Sequence, residues 1–463
     1  MVRAGADDPQ ARLFHLSLPA RQVRGWWGGL RAPGGLICCP PDGAGVILVV
    51  EPLAGPRPHV SAIPCPAGSQ GSDSRWTRGA MGPDGRLYCG AFDGTTALIV
   101  DPEERRAWEV GDLPLGRGKW SDPAAAGDGR LYCAPFCANS VLTMDPSSEA
   151  AFCFDDLGTI TGAAAGGNAG ALWTRGVLGV DGRLYCAPLS APAVLVIDPA
   201  GPSTKALGSL GNDQGKWNEG VAGLDGCIYC SPDGETSVLK INPLTEVVER
   251  LGQLPEGRRK WTKGVLAPNG RIFCAPLCAE TVLVINPARS EVVELCIPTP
   301  SGDGSKPKPM GPGRFKWTAG VVGPDGNIYC APLCAPNVLV IDPRAGACSV
   351  LGELGDGKFK WNEGSLGLDG RIYCSPAMSR ESGLLVIEPT GGFAWTRERH
   401  RYFPPGFKRV VLLLLLIRRR GRQVGAWGSL PDEVLIGRII PCLHRYWFDI
   451  EETAIVSGAP NAL

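Results

Sequence analysis

Hydrophobic and polar positions alternate along the chain on a short cycle that recurs many times. From Trp261 the sequence runs WTKGVLAPNGRIFCAPLCAETVLVINPARSEVVELCIP, with four apolar pieces: GVLA, RIFCAP, TVLVINP and EVVELCI. Short apolar runs rich in β-branched residues and bounded by Gly, Pro and Asn predict β-strands. The Asn269-Gly270 pair between the first two runs is a hairpin signal, because both residues tolerate positive φ. Asp84-Gly85, Asp181-Gly182, Asp225-Gly226, Asp325-Gly326 and Asp369-Gly370 fill the same place in other units. Each unit therefore reads as a four-stranded antiparallel meander.

The phrase KWNEGVAGLDGCIYCSP at 216–232 returns as KWNEGSLGLDGRIYCSP at 360–376. A Trp followed thirteen residues later by Cys marks each unit: Trp26 with Cys39, Trp76 with Cys89, Trp120 with Cys133, Trp173 with Cys186, Trp217 with Cys230, Trp261 with Cys274, Trp317 with Cys330 and Trp361 with Cys374. The basic step is 44 residues, stretched by insertions in three places. A lone meander cannot cover both faces of near-continuously apolar strands, whereas sheets arranged radially cover one another. A repeat of about 40–45 residues is one blade of a β-propeller. The last unit stops at Pro389 without a fourth strand, while ARLFHLSLPARQVRGW at 11–26 parallels EVVERLGQLPEGRRKW at 246–261. The expected fold is all-β: an eight-bladed propeller over residues 12–389, closed by the N-terminal strand, with repeats starting near 26, 76, 120, 173, 217, 261, 317 and 361. A seven-bladed ring with the worn first unit set apart is the alternative. Residues 390–463 form a short C-terminal extension with helical potential.

The run VLVIDP, a turn and then the V-x-x-L-G spacing resemble the YVTN and NHL types of propeller repeat, over about residues 12–389. That resemblance implies the architecture. It includes binding scaffolds, lactonases and lyases, so it does not select a function.

All three insertions, SAIPCPAGSQGSDS, GTITGAAAGGNAGA and PTPSGDGSKPKPMGPG, precede a Trp and so decorate one face. The same face carries a basic residue before most tryptophans. A ring of Arg75, Trp76, Lys119, Trp120, Lys216, Trp217, Lys260, Trp261, Lys316, Trp317, Lys360 and Trp361 would hold a small anionic or planar ligand, or a protein, by charge and ring contact. The competing reading is that each Trp wedges adjacent blades while the Lys stem lies over it. Two positions after Trp the residues vary (Arg78, Asp122, Arg175, Glu219, Lys263, Ala319, Glu363), so that position would tune the choice of ligand. The lactonase-type resemblance implies a divalent ion, Ca²⁺ or Mg²⁺, at Asp122, Asn218, Glu219, Asn362 and Glu363, which are oxygen donors suited to such ions. Lys and Arg in the same ring would repel a cation.

Lys plus Arg equals Asp plus Glu at 46 each, giving no electrostatic case for nucleic acid. The four histidines, His15, His59, His400 and His444, all avoid the inner strands, which removes the commonest general base from the axis. Cys133–Cys137, Cys274–Cys278 and Cys330–Cys334 repeat a C-x₃-C spacing, but each pair belongs to its own blade and lacks two further ligands for zinc. The first cysteine of each pair reads as a small buried hydrophobe, and a redox role for the loop cysteines stays open. GAAAGGNAG at 162–170 lacks the strand–helix setting of a dinucleotide loop. The amino terminus has no apolar signal region, and eighteen cysteines then favour a reducing, cytoplasmic location.

After Pro389 the composition changes. Residues 390–422 hold nine Arg or Lys against one acid, around VVLLLLLI at 410–417, which is far too short to span a bilayer. LPDEVLIGRIIPCLHRYW at 430–447 resembles the start of an F-box, which implies a ubiquitin-ligase substrate adaptor. The leading expectation is a monomeric binding scaffold without a cofactor. The alternatives are a divalent-metal-dependent lactonase-like hydrolase and an F-box-type adaptor.

Overall fold

The computed structural model describes residues 11–389 except 19–24, 54–57, 67–73, 155–170, 298–314 and 379–382, together with Val411 and Leu412. The insertion at 298–313 lies wholly outside the described residues, that at 158–171 all but its last residue, and that at 61–74 by half. The C-terminal extension with its F-box-like segment also lies outside them, apart from a helical Val411–Leu412 step in which Val411 is buried.

The described chain forms eight four-stranded antiparallel sheets, arranged as an eight-bladed β-propeller. Seven sheets take their strands in sequence order. The eighth joins Trp361–Leu366, Ile372–Pro376 and Leu384–Glu388 to the N-terminal strand Arg12–Leu16. Leu13 lies opposite Ile387, Phe14 opposite Val386 and His15 opposite Leu385. The ring thus closes with strands from both ends of the chain, which removes an open sheet edge. First strands of successive blades contact one another around the axis, including blade 8 against blade 1. Ser365 Oγ donates to Gly29 O at 2.9 Å and Ser375 Oγ to Trp27 O at 2.8 Å across that junction.

Burial follows the strand order. The second strand of blade 5, Ile228–Pro232, is buried at every residue, whereas its fourth, Val247–Leu251, is partly exposed throughout. Tyr185, Val194 and Val196 of blade 4 pack with Trp217, Ile228, Cys230 and Leu239 of blade 5. Each apolar cluster of this kind joins two blades. Trp26 packs with Tyr373, Leu384 and Val386 of blade 8, so the same contact closes the ring.

The Asp-Gly and Asn-Gly pairs do make the first hairpin of their blades, with a different turn from the expected one. Within each of these pairs only the glycine has positive φ, for example Gly85 at 82° and Gly226 at 80°. Gly85 N–H donates to Gly82 O and Gly82 N–H to Arg86 O, the signature of a type I turn followed by a glycine bulge. Aspartate supplies a side chain instead of a left-handed backbone. Asp84 Oδ1 accepts the Arg86 N–H, and Oδ2 accepts the Tyr88 hydroxyl at 2.7 Å.

Replacing Trp217 with Ala removes the wedge between blades 4 and 5 and should cost about 3–5 kcal/mol. Guanidinium unfolding monitored by circular dichroism measures it; a loss under about 1 kcal/mol would contradict the wedge.

Candidate functional site

The tryptophans and lysines of the ring are buried between blades rather than spread over the mouth, which Trp120 alone among them borders. Trp76, Trp120, Trp217, Trp261, Trp317 and Trp361 are at most 2% exposed, and Lys119, Lys216, Lys260, Lys316 and Lys360 at most 4%. Every indole N–H donates to a carbonyl at the start of its own third strand: Trp217 to Ser237 at 2.8 Å, Trp261 to Thr281 at 2.7 Å, Trp317 to Asn337 at 2.8 Å. The ammonium groups of Lys119, Lys216, Lys260 and Lys360 are each enclosed by carbonyls of the preceding blade and of their own approach loop, and Lys316 Nζ donates to Ala279 of the preceding blade. Lys216 Nζ donates to Ala191, Gly211 and Asp213, and Lys360 Nζ to Ala335 and Gly355. Burial pushes the pKa of all five lysines down. Arg75, half-buried, lies 5.1 Å over Trp76 and pairs with Glu109 at 3.1 Å. Of the two readings of this ring, the packing one describes its geometry.

The loop must fold back to bring each lysine over its tryptophan. Two residues before the Trp, the backbone is left-handed in all five units that carry the lysine: Gly118 (φ 57°), Gly215 (67°), Arg259 (54°), Phe315 (60°) and Phe359 (51°).

The mouth is built by the two residues that follow each Trp. In blade 5, Trp217 lies opposite Pro232 and Gly220 opposite Cys230, so three steps on one strand match two on the other. The same bulge recurs in blades 4, 6, 7 and 8. A bulge re-aims side chains, and here it turns the pair after Trp toward the axis. The glycine after the bulge leaves room for the thiol: a Cβ on Gly220 would sit 3.0 Å from Cys230 Sγ. In blades 1–3 the Trp makes an isolated bridge and the inner strand pairs over two residues. Pro123 replaces that glycine in blade 3 and lacks the N–H for the ladder.

Three cations and three carboxylates therefore line an axial cavity of about 380 Å³: Arg78, Arg175, Lys263, Asp122, Glu219 and Glu363. They form a nearly closed circuit. Arg78 reaches Glu363 at 2.6 Å, Glu363 reaches Lys263 at 3.3 Å, and Lys263 reaches Glu219 at 3.7 Å. Glu219 meets Arg175 at 3.5 Å, and Asp122 accepts the Arg78 N–H at 2.9 Å. Blades 1 and 7 contribute Gly28 and Ala319, so Glu363 between them reaches cations two blades away on either side. A Cβ on Gly28 would lie 3.2 Å from that of Glu363 and 3.3 Å from Arg78 Nη2. Burial pushes the Asp122 carboxyl up despite Arg78. Burial acts the same way on Glu363, but Arg78 and Lys263 outweigh it and hold the carboxyl below the usual range.

Trp27, Phe92, Phe136 and Leu189 form an apolar wall on one side of this cavity, and the edge of Trp120 borders it. The Phe92 and Phe136 rings are 6.0 Å apart.

The residues assigned to a divalent ion do not fit one. Glu219 and Glu363 each face two cations, and Asp122 takes a backbone N–H. The amides of Asn218 and Asn362 stitch neighbouring blades, donating to Trp261 O at 2.8 Å and Trp26 O at 2.5 Å. Among the described residues no group of three or more His, Cys, Asp or Glu is placed to hold a metal. His15 and His59 lie on outer fourth strands. The first cysteine of each C-x₃-C pair is buried, and burial raises its pKa, to about 12 for Cys274, whereas Cys137 is exposed and Cys278 and Cys334 are half-buried. No described helix is long and apolar enough to cross a membrane.

No family model and no curated protein matches the chain. Solved structures do. A catalytically inactive variant of virginiamycin B lyase from Staphylococcus aureus, with quinupristin, matches with a TM-score of 0.51 at 10% identity, over 82% of this chain and 99% of that one. A streptogramin B lyase structure gives 0.48 at 11% identity over 82% and 98%. Hydrazine synthase from Kuenenia stuttgartiensis gives 0.45 at 17% identity over 68% and 94%. At such identities the likeness is one of fold.

The two carboxyls shift in opposite directions, so their variants should change the acid stability profile oppositely. Glu363, with its folded pKa depressed, contributes stability above its unfolded pKa that is lost as pH falls through the folded value. Asp122, with its folded pKa raised, contributes stability below its unfolded pKa that is lost as pH rises through the folded value. Urea unfolding between about pH 3 and 7 should show Glu363→Gln flattening a rise and Asp122→Asn flattening a fall.

Proposed function

We propose that the protein is a recognition scaffold that seats a dipolar segment of a partner in the axial mouth: a short peptide stretch carrying one cationic and one anionic group on an apolar body. The observation that carries this reading is the position two residues after each Trp. Around it the blades repeat nearly unchanged and are buried. At it they differ, and the side chains face the cavity. The volume falls within the range of ligand pockets. The ring has no net charge, so an isolated anion or cation gains nothing from the sum. A ligand with both signs pairs with both without leaving a ring charge unmatched, and its apolar body meets Phe92, Phe136 and Leu189.

Small anions are the competing ligand. The lysines that suggested them are enclosed by carbonyls, which leaves Arg78, Arg175 and Lys263, each beside an acid. The proposal extends to repeats of YVTN/NHL-like type and to a cytoplasmic location.

Calorimetric titration tests the reading with blocked Lys-Leu-Glu peptides, citrate, phosphate and Ca²⁺ as ligands. The peptide should bind, and Arg78→Ala combined with Glu363→Ala should weaken it at least about tenfold, or 1.4 kcal/mol. Binding of citrate or phosphate alone would replace this reading with a small-anion site. Binding of Ca²⁺ that is lost in Glu219→Gln or Glu363→Gln would replace it with a divalent-ion hydrolase.

A further inference from the structure

The opposite face carries a second feature, which appears when the blades are compared with one another. In blade 2, Arg86 holds Asp101 of its own blade through Nε at 3.1 Å and reaches Glu149 of blade 3 through Nη1 at 2.7 Å. Blade 4 repeats this: Arg183 holds Asp198 at 3.2 Å and reaches Glu246 of blade 5 at 2.7 Å. The second acid lies four residues beyond the strand-ending Asp145 or Asn242. Arg130 of blade 3 makes the first contact, to Asp145 at 2.9 Å. Among the described residues that is the one carboxylate with which it pairs.

Four residues beyond Asp198, in the blade that Arg130 faces, stands Pro202. Glu149 and Glu246 occupy left-handed backbone, φ 50° and 56°. Proline is fixed near −65° and cannot copy that turn. Acid and turn shape are therefore lost together, and a groove of about 700 Å³ opens where the glutamate would lie. Arg130 and Asp145 line it beside Pro83, Pro146, Pro199 and Pro202. The Arg130 side chain is 38% exposed. Blade 6 does not offer the same arrangement, because Arg271 has Asn286 in place of the aspartate.

We propose that this groove binds a carboxylate, which takes on Arg130 the place that Glu149 and Glu246 take on Arg86 and Arg183. The guanidinium is oriented in advance by Asp145, and its η edge suits a carboxylate. Asp84 and Asp128 also face the groove, but each accepts a tyrosine hydroxyl, from Tyr88 and Tyr132. The sister sites accommodate a glutamate beside the same turn aspartates, with Asp84 3.9 Å from Arg86 and Asp181 3.8 Å from Arg183. The proline walls suit an extended segment on either side of the acid. A small dicarboxylic acid offers the same chemistry without those flanks.

The test titrates the full-length protein with glutarate and with the blocked peptide acetyl-Ala-Glu-Ala-amide, using its Gln counterpart as control. At least one carboxylate probe should bind and the Gln peptide should not. Binding should weaken at least about tenfold in Arg130→Gln and in Pro202→Glu, and stay unchanged in Arg183→Gln, whose arginine already has its acid. Thermal unfolding of each variant establishes that it is folded. Glutarate and peptide binding alike would identify a small-carboxylate site; peptide binding alone would identify a protein partner. Absence of binding by both probes, or binding that survives Arg130→Gln or a folded Pro202→Glu, would overturn the proposal.

Discussion

Everything in this fold depends on one contact made eight times: an indole wedged between two blades with its N–H tied to a carbonyl of the third strand. The apolar ring fills the gap that twisted sheets leave as they fan out from the axis. The N–H, which would be expensive to bury unpaired, fixes the ring's tilt. The contact is interblade in its packing and intrablade in its hydrogen bond. It therefore sets each sheet's own geometry and its angle to the next. Trp26 against blade 8 shows that ring closure uses the same device as every other junction.

The lysine before the tryptophan serves the same end by different chemistry. A propeller needs loops to cross from the outer strand of one blade to the inner strand of the next, and such loops leave carbonyls without partners. An ammonium with three donors satisfies two or three of them at once. The left-handed residue just before it allows the backbone to double back. Gly118 and Gly215 adopt that conformation without steric penalty, whereas Arg259, Phe315 and Phe359 are held in it by the surrounding loop.

Much of this was legible in the sequence. Trp–Cys spacing, period and the orphan strand within 11–26 yield blade number and ring closure, because a repeat that cannot bury its own faces must be covered by its neighbours. The face bearing the mouth was legible as well. Which side chains line it was less so. Trp and Lys drew attention by recurring, but recurrence at every blade is what a packing element requires. The two positions after the Trp reach the cavity, and the second of them brings its charges. The signal lay in the mismatch between Trp-to-Gly and Pro-to-Cys spacing, three residues against two. That mismatch is a bulge, and it becomes readable only once strand register is known. The turn chemistry was half legible: Asp-Gly marks the hairpin, but Tyr88 and its equivalents, by claiming the aspartate side chain, choose the type I turn. Arg130 and Pro202 carry no motif; their meaning comes from aligning one blade against the next in space.

The central claim is a division of labour: what the blades share builds the scaffold, and what differs at the mouth builds the site. The most direct measurement is the unfolding free energy of a variant with Arg78, Asp122, Arg175, Glu219, Lys263 and Glu363 all replaced by Thr. The charges leave as a balanced set, so none is stranded without its partner. The account predicts a cooperative transition within about 3 kcal/mol of the parent protein and complete loss of binding at the mouth. Failure of that variant to fold would show the charged ring to be part of the scaffold and would contradict the division.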